Sequence, residues 1–381
     1  MREVSHDSWG SRIGKALLGV LVGIALVIGS LVAIFWNESH SLNTAKSLQQ
    51  AQKITIAIPA SPIDPKNNLR VVYLSALANT DDILEDKIFG VSEKALRLNR
   101  EVEMYQWQEN VETTTEKNVG GSEDTVKTYS YDKVWSKNPI DSSKFKEKAE
   151  HQNPAVIPVK AKVVYANKVT LGDFILPKAM LEKISGEHYV DLSKADLATL
   201  NTKYKKTVTQ SGDGLYFGND ENNPSIGDMR VTVSSIFPET ISIVAQQINN
   251  TFQAYRAPAG EDVSLIEMGQ LSSDQLYQNA ADANKQMTWV IRFVTLFLIF
   301  LGFVLILNPL SVLADVIPFI GSMVSFGTGL IALIGGLTLW SIATAIAWFS
   351  ARPIIAASLL VGCFVICLLL YLRGKSKKAR A

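Results

Sequence analysis

Four stretches of the chain are almost free of polar side chains, and between the first two lies a long segment in which polar and apolar residues alternate. Residues 16–36 (ALLGVLVGIALVIGSLVAIFW) carry no charge over 21 positions. A helix of that length, rising about 1.5 Å per residue, crosses the roughly 30 Å hydrocarbon core of a bilayer. A cleaved leader would have a shorter apolar run and a small-residue cleavage site, but Trp36-Asn37-Glu38-Ser39-His40 follows here. Residues 289–307, 325–349 and 353–372 repeat the signal. The pattern predicts a membrane protein with four transmembrane helices, one N-terminal and three C-terminal. Residues 308–324, between the second and third, contain Pro309, Asp315 and Pro318. Two prolines forbid one straight helix there, so a Pro-broken interfacial or re-entrant segment is expected.

Residues 37–288 read as a large β-rich domain of α+β class. Strands are expected at 69–74, 161–165, 229–235, 240–246 and 263–268. The clearest element is a long hairpin. Its first arm, 96–109, puts Val102, Met104 and Gln106 on one face and Glu103, Tyr105 and Trp107 on the other. The second arm, 125–135, carries Tyr129, Tyr131 and Trp135, which can stack across the arms. The polar stretch 113–124, with Gly120-Gly121, suits an exposed tip. Helices are expected at 177–184, behind Pro177, and from Ser272, where Gln275 completes a capping-box pattern. That second helix leads straight into residue 289 and reads as a stalk.

Charge then orients the chain. The net charge of +1 hides a strong asymmetry. Residues 37–288 hold 27 Lys and Arg against 33 Asp and Glu, a net of −6. Arg2, Arg12 and Lys15 precede the first span, and Arg373, Lys375, Lys377, Lys378 and Arg380 follow the fourth. The positive-inside rule places both the arm 1–15 and the tail 373–381 in the cytoplasm and 37–288 in the periplasm or a lumen. The balance gives no basic surface for nucleic acid. The two cysteines, Cys363 and Cys367, both fall in the fourth span, so the exported segment has no disulfide.

Catalytic signatures are absent from the sequence. It has no nucleophile elbow, no His-Glu-x-x-His and no phosphate-binding loop. Gly327-Thr328-Gly329 sits in an apolar span and reads as helix packing. Of four histidines, His151 and His188 lie in the body of the exported segment, too few for a His-rich metal site. Glu101 and Glu103 share a strand face, which among 33 acids points to no particular chemistry. No catalytic, metal or cofactor residue is expected. Within the spans, Gly19 and Gly23 form a Gly-x-x-x-Gly that Ala25 and Gly29 extend, a spacing that lets helices approach closely. The partner, a second copy or a later span, stays open. Arg292, Asn308 and Asp315 are the candidate intramembrane polar residues. Arg292 either snorkels outward or is a buried charge, and Asp315 faces a polar cavity or the interface.

The segments Val102-Glu103-Met104-Tyr105-Gln106-Trp107, Tyr129-Ser130-Tyr131 with Trp135, His151-x-Asn153-Pro154, Gly227-Asp228-x-Arg230 and Trp289-x-x-Arg292 together resemble the LUMA family of membrane proteins. The layout of one early and three late spans is similar too. The resemblance implies a non-enzymatic protein with an OB-like barrel, self-associating and binding other membrane proteins, and gives no catalytic residue to transfer. The expected function is therefore a scaffold for membrane protein or lipid-protein assemblies, as a homo-oligomer. The alternatives are an ion channel or a chamber binding lipid or a small molecule, and a hydrolase in the exported domain ranks last. The family occurs in bacteria as well as in the endoplasmic reticulum and inner nuclear membrane, and a bacterial inner membrane is the expected location.

Overall fold

In the computed structural model, which describes residues 1–352, the chain divides into two units. The first comprises Met1–Val4, Ser47–Thr114 and Val126–Ala280. The second comprises Ser5–Lys46, Thr115–Thr125 and the described residues from Ala281 onward.

The first unit is built on a closed ring of five strands. Val71–Asn79 pairs antiparallel with Val169–Leu171, and that strand with Phe174–Leu176. Phe174–Leu176 then pairs in parallel with Thr251–Gln253. Glu239–Ile248 follows, and it returns to Val71–Asn79 to complete the ring. The result is a barrel-like region, the general arrangement that five-stranded Greek-key barrels use. The run Ile241 to Ala245 is buried on both faces because the strand is covered on both sides. Ile241, Ile243 and Ala245 belong to the main core. Val244 packs instead with Leu48, Ala51, Leu276 and Tyr277 from the helical segments either side of the unit's boundaries. Double burial explains why this strand is apolar on both faces apart from Ser242, whose buried hydroxyl donates to the Gly269 carbonyl.

Two insertions into the ring form a second sheet. Its strands run in the order Glu123–Ser136, Arg97–Lys117, Met229–Ile236, Gly214–Phe217 and Val208–Ser211. Val102 faces Val231 and Met104 faces Met229 across the central pair. The expected hairpin is present with longer arms, Arg97–Lys117 and Glu123–Ser136, and a tip that turns at Gly120 and Gly121, both at positive φ. The expected capping box also forms. The Ser272 amide donates to Gln275 Oε1, and the Gln275 amide donates to Ser272 Oγ. The strand Arg2–Asp7 and the short helix Leu197–Tyr204 had no clear signal in the sequence.

Among the described residues, three helices are long and apolar enough to cross a membrane, Trp9–Ile54, Ser273–Ala314 and Pro318–Ala351, and all but residues 47–54 and 273–280 of them belong to the second unit. Each extends beyond its expected span, because the flanking polar turns remain helical. The break expected over 308–324 shrinks to residues 315–317. Pro309 lies inside the second helix, and Pro318 opens the third, where its missing N–H costs nothing. The fourth span, 353–372, and the tail 373–381 fall outside the described residues. Residues 115–125, counted in the sequence with the exported segment, pack within this unit at the Arg12 end of the first helix.

Candidate functional site

Three features of the membrane unit concern the candidate residues: a tight helix seam and two buried ion clusters. The seam is where the first and second helices cross. A Cβ added to Gly23 would lie 2.6 Å from the Gly302 carbonyl oxygen and 2.9 Å from Ile306 Cγ1. A Cβ on Gly302 would meet Val27 Cγ2 at 2.7 Å. The partner of the Gly-x-x-x-Gly is thus the second helix of the same chain. Gly19 faces Leu305 more loosely, at 3.9 Å, while Gly29 has no neighbour within 4 Å. Ala25 and Gly29 are exposed, so the expected packing face narrows to its first two members.

One ion cluster joins the first two helices where the first leaves its apolar run. Glu38 is only 1% exposed. It accepts from Arg292 Nε at 2.7 Å, and Arg352 Nη1 lies 4.0 Å from its other oxygen. The Arg292 guanidinium also covers the Trp289 ring at 4.8 Å, and the Arg292 carbonyl accepts from the Trp340 indole at 3.0 Å. Arg292 is thus partly buried, at 17% exposed, and its charge is paired with the buried Glu38. Its partner was missed because Glu38 read only as a residue after a span. The available signal was an acid just past one span and a base just inside the next.

The second cluster lies at the other end of the first helix. Asp315 is fully buried. It accepts from Arg12 Nη2 and, at 2.8 Å, from Lys117 Nζ. Arg12 also pairs with Glu123 at 3.0 Å and donates to the Gly121 carbonyl at 2.6 Å. The Trp9 indole donates to the Val312 carbonyl at 2.9 Å, and its ring lies against Gly121. Gly321 leaves room for the Asp315 carboxylate, whose Oδ1 occupies the space a Cβ would need. Asp315, Asn308 and Gly19 line a cavity of about 350 Å³ beside this cluster. Asp315 thus lines a cavity with both polar and apolar walls. Arg12 and Glu38 are 26 positions apart on one helix, about 39 Å at 1.5 Å per residue. That separation matches a bilayer including its headgroups, roughly 40–45 Å.

In the β-rich unit the motif residues converge from four segments. Val102, Met104 and Gln106 point into the core. Gln106 holds the loop beyond the hairpin: its Oε1 accepts from the Ile140 amide at 2.8 Å, and its Nε2 donates to the Asn138 carbonyl at 3.0 Å. Asn153 acts as a one-residue strand partner, accepting from the Trp107 amide at 2.7 Å and donating to the Trp107 carbonyl at 2.8 Å. His151 stacks on Tyr131 with centroids 3.6 Å apart and meets Trp107 edge-on. Its Nδ1 donates to the Glu147 carbonyl at 3.0 Å. Pro154 packs close to Gly227, whose positive φ and amide bond to the Tyr105 carbonyl shape the turn before Asp228. Asp228 accepts from Lys206, the Tyr216 hydroxyl and the Ser225 amide, all within 2.8 Å. Burial alone raises this carboxyl, but those three donors hold it below its ordinary value. Burial and the Asp228 bond together push the Tyr216 hydroxyl up. Arg230 covers Trp135 at 4.1 Å, and Glu103 sits opposite it in the ladder. The side chains of Gln106, Asn153 and Asp228 are spent on holding loops and strands, while Arg230 Nε is buried without a hydrogen bond.

The sequence matches the family model described as transmembrane protein 43 over residues 104–353. It is 27% identical to transmembrane protein 43 of Mus musculus over 367 residues, covering 93% of this chain and 89% of that one. The Homo sapiens protein of the same name is 26% identical over 362 residues, with 92% and 88% covered. The transmembrane protein 43 homolog of Drosophila melanogaster is 28% identical over 353 residues, with 90% and 91% covered. These relatives are animal proteins and lend nothing to a bacterial location. No solved structure matches the chain.

Proposed function

The chain belongs to the transmembrane protein 43 family, and from that membership we propose that it is a non-enzymatic membrane organiser, a rigid helical frame that holds a β-rich domain and associates with further copies and other membrane proteins. The observation that carries the reading is the pair of ion clusters, Arg12–Asp315–Lys117 and Glu38–Arg292–Arg352. Each buried charge has a partner from a different segment, and each cluster sits at an end of the first helix's apolar run rather than in its middle. Pumps and ion pathways place charge where ions must cross; here the charges tie neighbouring segments together at the two ends of an apolar run. The bonds made by Asp228, Gln106 and Asn153 support the non-enzymatic part. Both termini in the cytoplasm and residence in an inner membrane or the endoplasmic reticulum complete the proposal.

The test uses the full chain. Extracted in native lipid discs, it is expected to run as more than one copy per disc, and planar bilayers containing it should show no unitary current. Discs holding single copies, or reproducible conductance steps, overturn the proposal.

A further inference from the structure

The cavity beside Asp315 has two chemistries in one space. One part is lined by the apolar groups of Ala16, Leu305 and Val312 and by the open flank of Gly19. The other is lined by charge: Asp7, Lys15, Lys117 and Glu123, with the Arg12–Asp315 pair behind them. Ala16 and Gly19 begin the apolar run that crosses the bilayer, and Asp7 and Lys15 precede it. The cavity therefore straddles the level where lipid headgroups meet acyl chains. At about 350 Å³ it is too large for a few waters and falls in the range of small-ligand sites.

We propose that this cavity binds the headgroup of one zwitterionic phospholipid that carries a primary amine, with its glycerol and upper acyl chain lying over Gly19 and Leu305. The argument for a zwitterion is the lining's own balance. Among the described residues it contributes three cations, Arg12, Lys15 and Lys117, and three acids, Asp7, Glu123 and Asp315. The lining is balanced, so an anionic or a cationic headgroup would add an uncompensated charge to it, whereas a zwitterion adds none. A phosphodiester with a terminal ammonium is such a group. Lys15 spends its ammonium on Asp7 and Lys117 spends its own on Asp315, each at 2.7–2.8 Å. An ammonium has three donors, so both retain capacity for phosphate oxygens. Lys15 is 65% exposed, free to close over the bound group. The carboxylates of Asp7 and Glu123 take the amine's N–H donors. A quaternary choline has no N–H to give, so the same site selects ethanolamine over choline. This inference goes beyond the organiser reading and stands without it.

The experiment presents delipidated full-length protein with equal amounts of phosphatidylethanolamine, phosphatidylcholine and phosphatidylglycerol in mixed micelles. Native mass spectrometry then counts the lipids that stay bound. The expected result is one phosphatidylethanolamine per chain, retained roughly tenfold over the other two, the discrimination one charge-assisted hydrogen bond supplies. Lys15→Ala, which leaves the buried Arg12–Asp315 pair intact, should weaken retention by about tenfold. Gly19→Leu should fill the apolar part and abolish it; if that variant does not fold, Lys15→Ala and Asp7→Asn decide. Equal retention of the three lipids, preference for phosphatidylglycerol, or unchanged retention in Lys15→Ala each overturns the proposal.

Discussion

Gly23→Ala is the sharpest test of the helix seam, because the added atom is small and its surroundings are fixed. Ordinary van der Waals contact begins near 3.4 Å, while the new Cβ would stand 2.6 Å from the Gly302 carbonyl oxygen. The obstacle is backbone, so no rotamer change relieves it, and the two helices must part by about 0.8 Å. A radial gap of 0.5–1 Å forfeits roughly a quarter to a half of each dispersion contact along the seam. In a bilayer no hydrophobic force holds the helices together, so that loss is not offset. Overpacking of this kind costs about 1–3 kcal/mol. Against it stands the gain in helix propensity on replacing Gly by Ala, up to about 1 kcal/mol. Gly29→Ala isolates that gain, since Gly29 has no neighbour within 4 Å. Unfolding by titration with sodium dodecyl sulfate in mixed micelles measures both. Gly29→Ala should be neutral or slightly stabilising, and Gly23→Ala should lose about 1–2 kcal/mol net. Gly302→Ala should behave like Gly23→Ala. If Gly23→Ala and Gly29→Ala give the same midpoint, the intramolecular seam is refuted.

Asp315→Asn removes the acid from a buried cluster and strands Lys117, while Arg12 keeps Glu123. A loss near the lower end of the 3–5 kcal/mol range for broken buried pairs is expected in the same titration, and a loss under about 0.5 kcal/mol would contradict the burial. In the β-rich unit, Asp228→Asn should lower stability by about 1.5–3 kcal/mol at neutral pH. Because the folded carboxyl titrates below its ordinary value of 3.8, its contribution is complete above that pH and disappears as pH falls through the folded value. Acid unfolding followed by tryptophan fluorescence should thus be flatter below about pH 4 in Asp228→Asn, and an unchanged acid limb would sink the assignment. The contacts of Arg12 with Gly121 and Glu123 place the hairpin tip and the N-terminal arm at one end of the first helix. With Cys363 and Cys367 replaced, cysteines at Ser5 and Val119 should react with an impermeant maleimide from the same side, and one at Asn43 from the opposite side. Joint labelling of positions 119 and 43 would exclude this arrangement.

The sequence was most legible where one physical rule dominates. Long apolar runs, broken by one charge at Arg292, marked the three described spans, and alternation at Val102, Met104 and Gln106 marked the inner face of the hairpin. Ser272 with Gln275 marked a helix start to within a residue. Pairings across distant segments were not legible. Asp315 lies 303 positions from Arg12 and 198 from Lys117, and a list of charges does not say which will meet. The helix ends were misjudged for a related reason. Glu38 to Ile54 is polar enough to read as domain, yet it stays helical because one stripe of it, Leu48 with Ala51, is buried against Val244 and Leu276. The partner of Gly23 was undecidable because close helix approach looks the same whether the second helix belongs to this chain or another.

The seam and the ion clusters solve different parts of one problem. Helices in a bilayer gain little from burying apolar surface against each other, so their spacing and register must be fixed by other means. Gly23 and Gly302 set the spacing, since backbone meets backbone there and nothing larger fits. A small-residue contact says little about sliding or rotation, because a helix surface repeats itself every turn. The ion pairs remove that freedom. Arg12 with Asp315 and Glu38 with Arg292 each join the first helix to a different part of the second unit, at positions about 39 Å apart. A slip by one turn, about 5.4 Å, would break both pairs and leave charges unpartnered in the bundle. Two clusters on one helix therefore define a single register, whereas one cluster would leave a pivot. The same arrangement bears on the balance of charge along the chain. The basic residues before the first span do more than orient it in the membrane, since Arg12 is consumed by a buried carboxylate. Reading that arginine only as a topological signal hides the contact that fixes the helix.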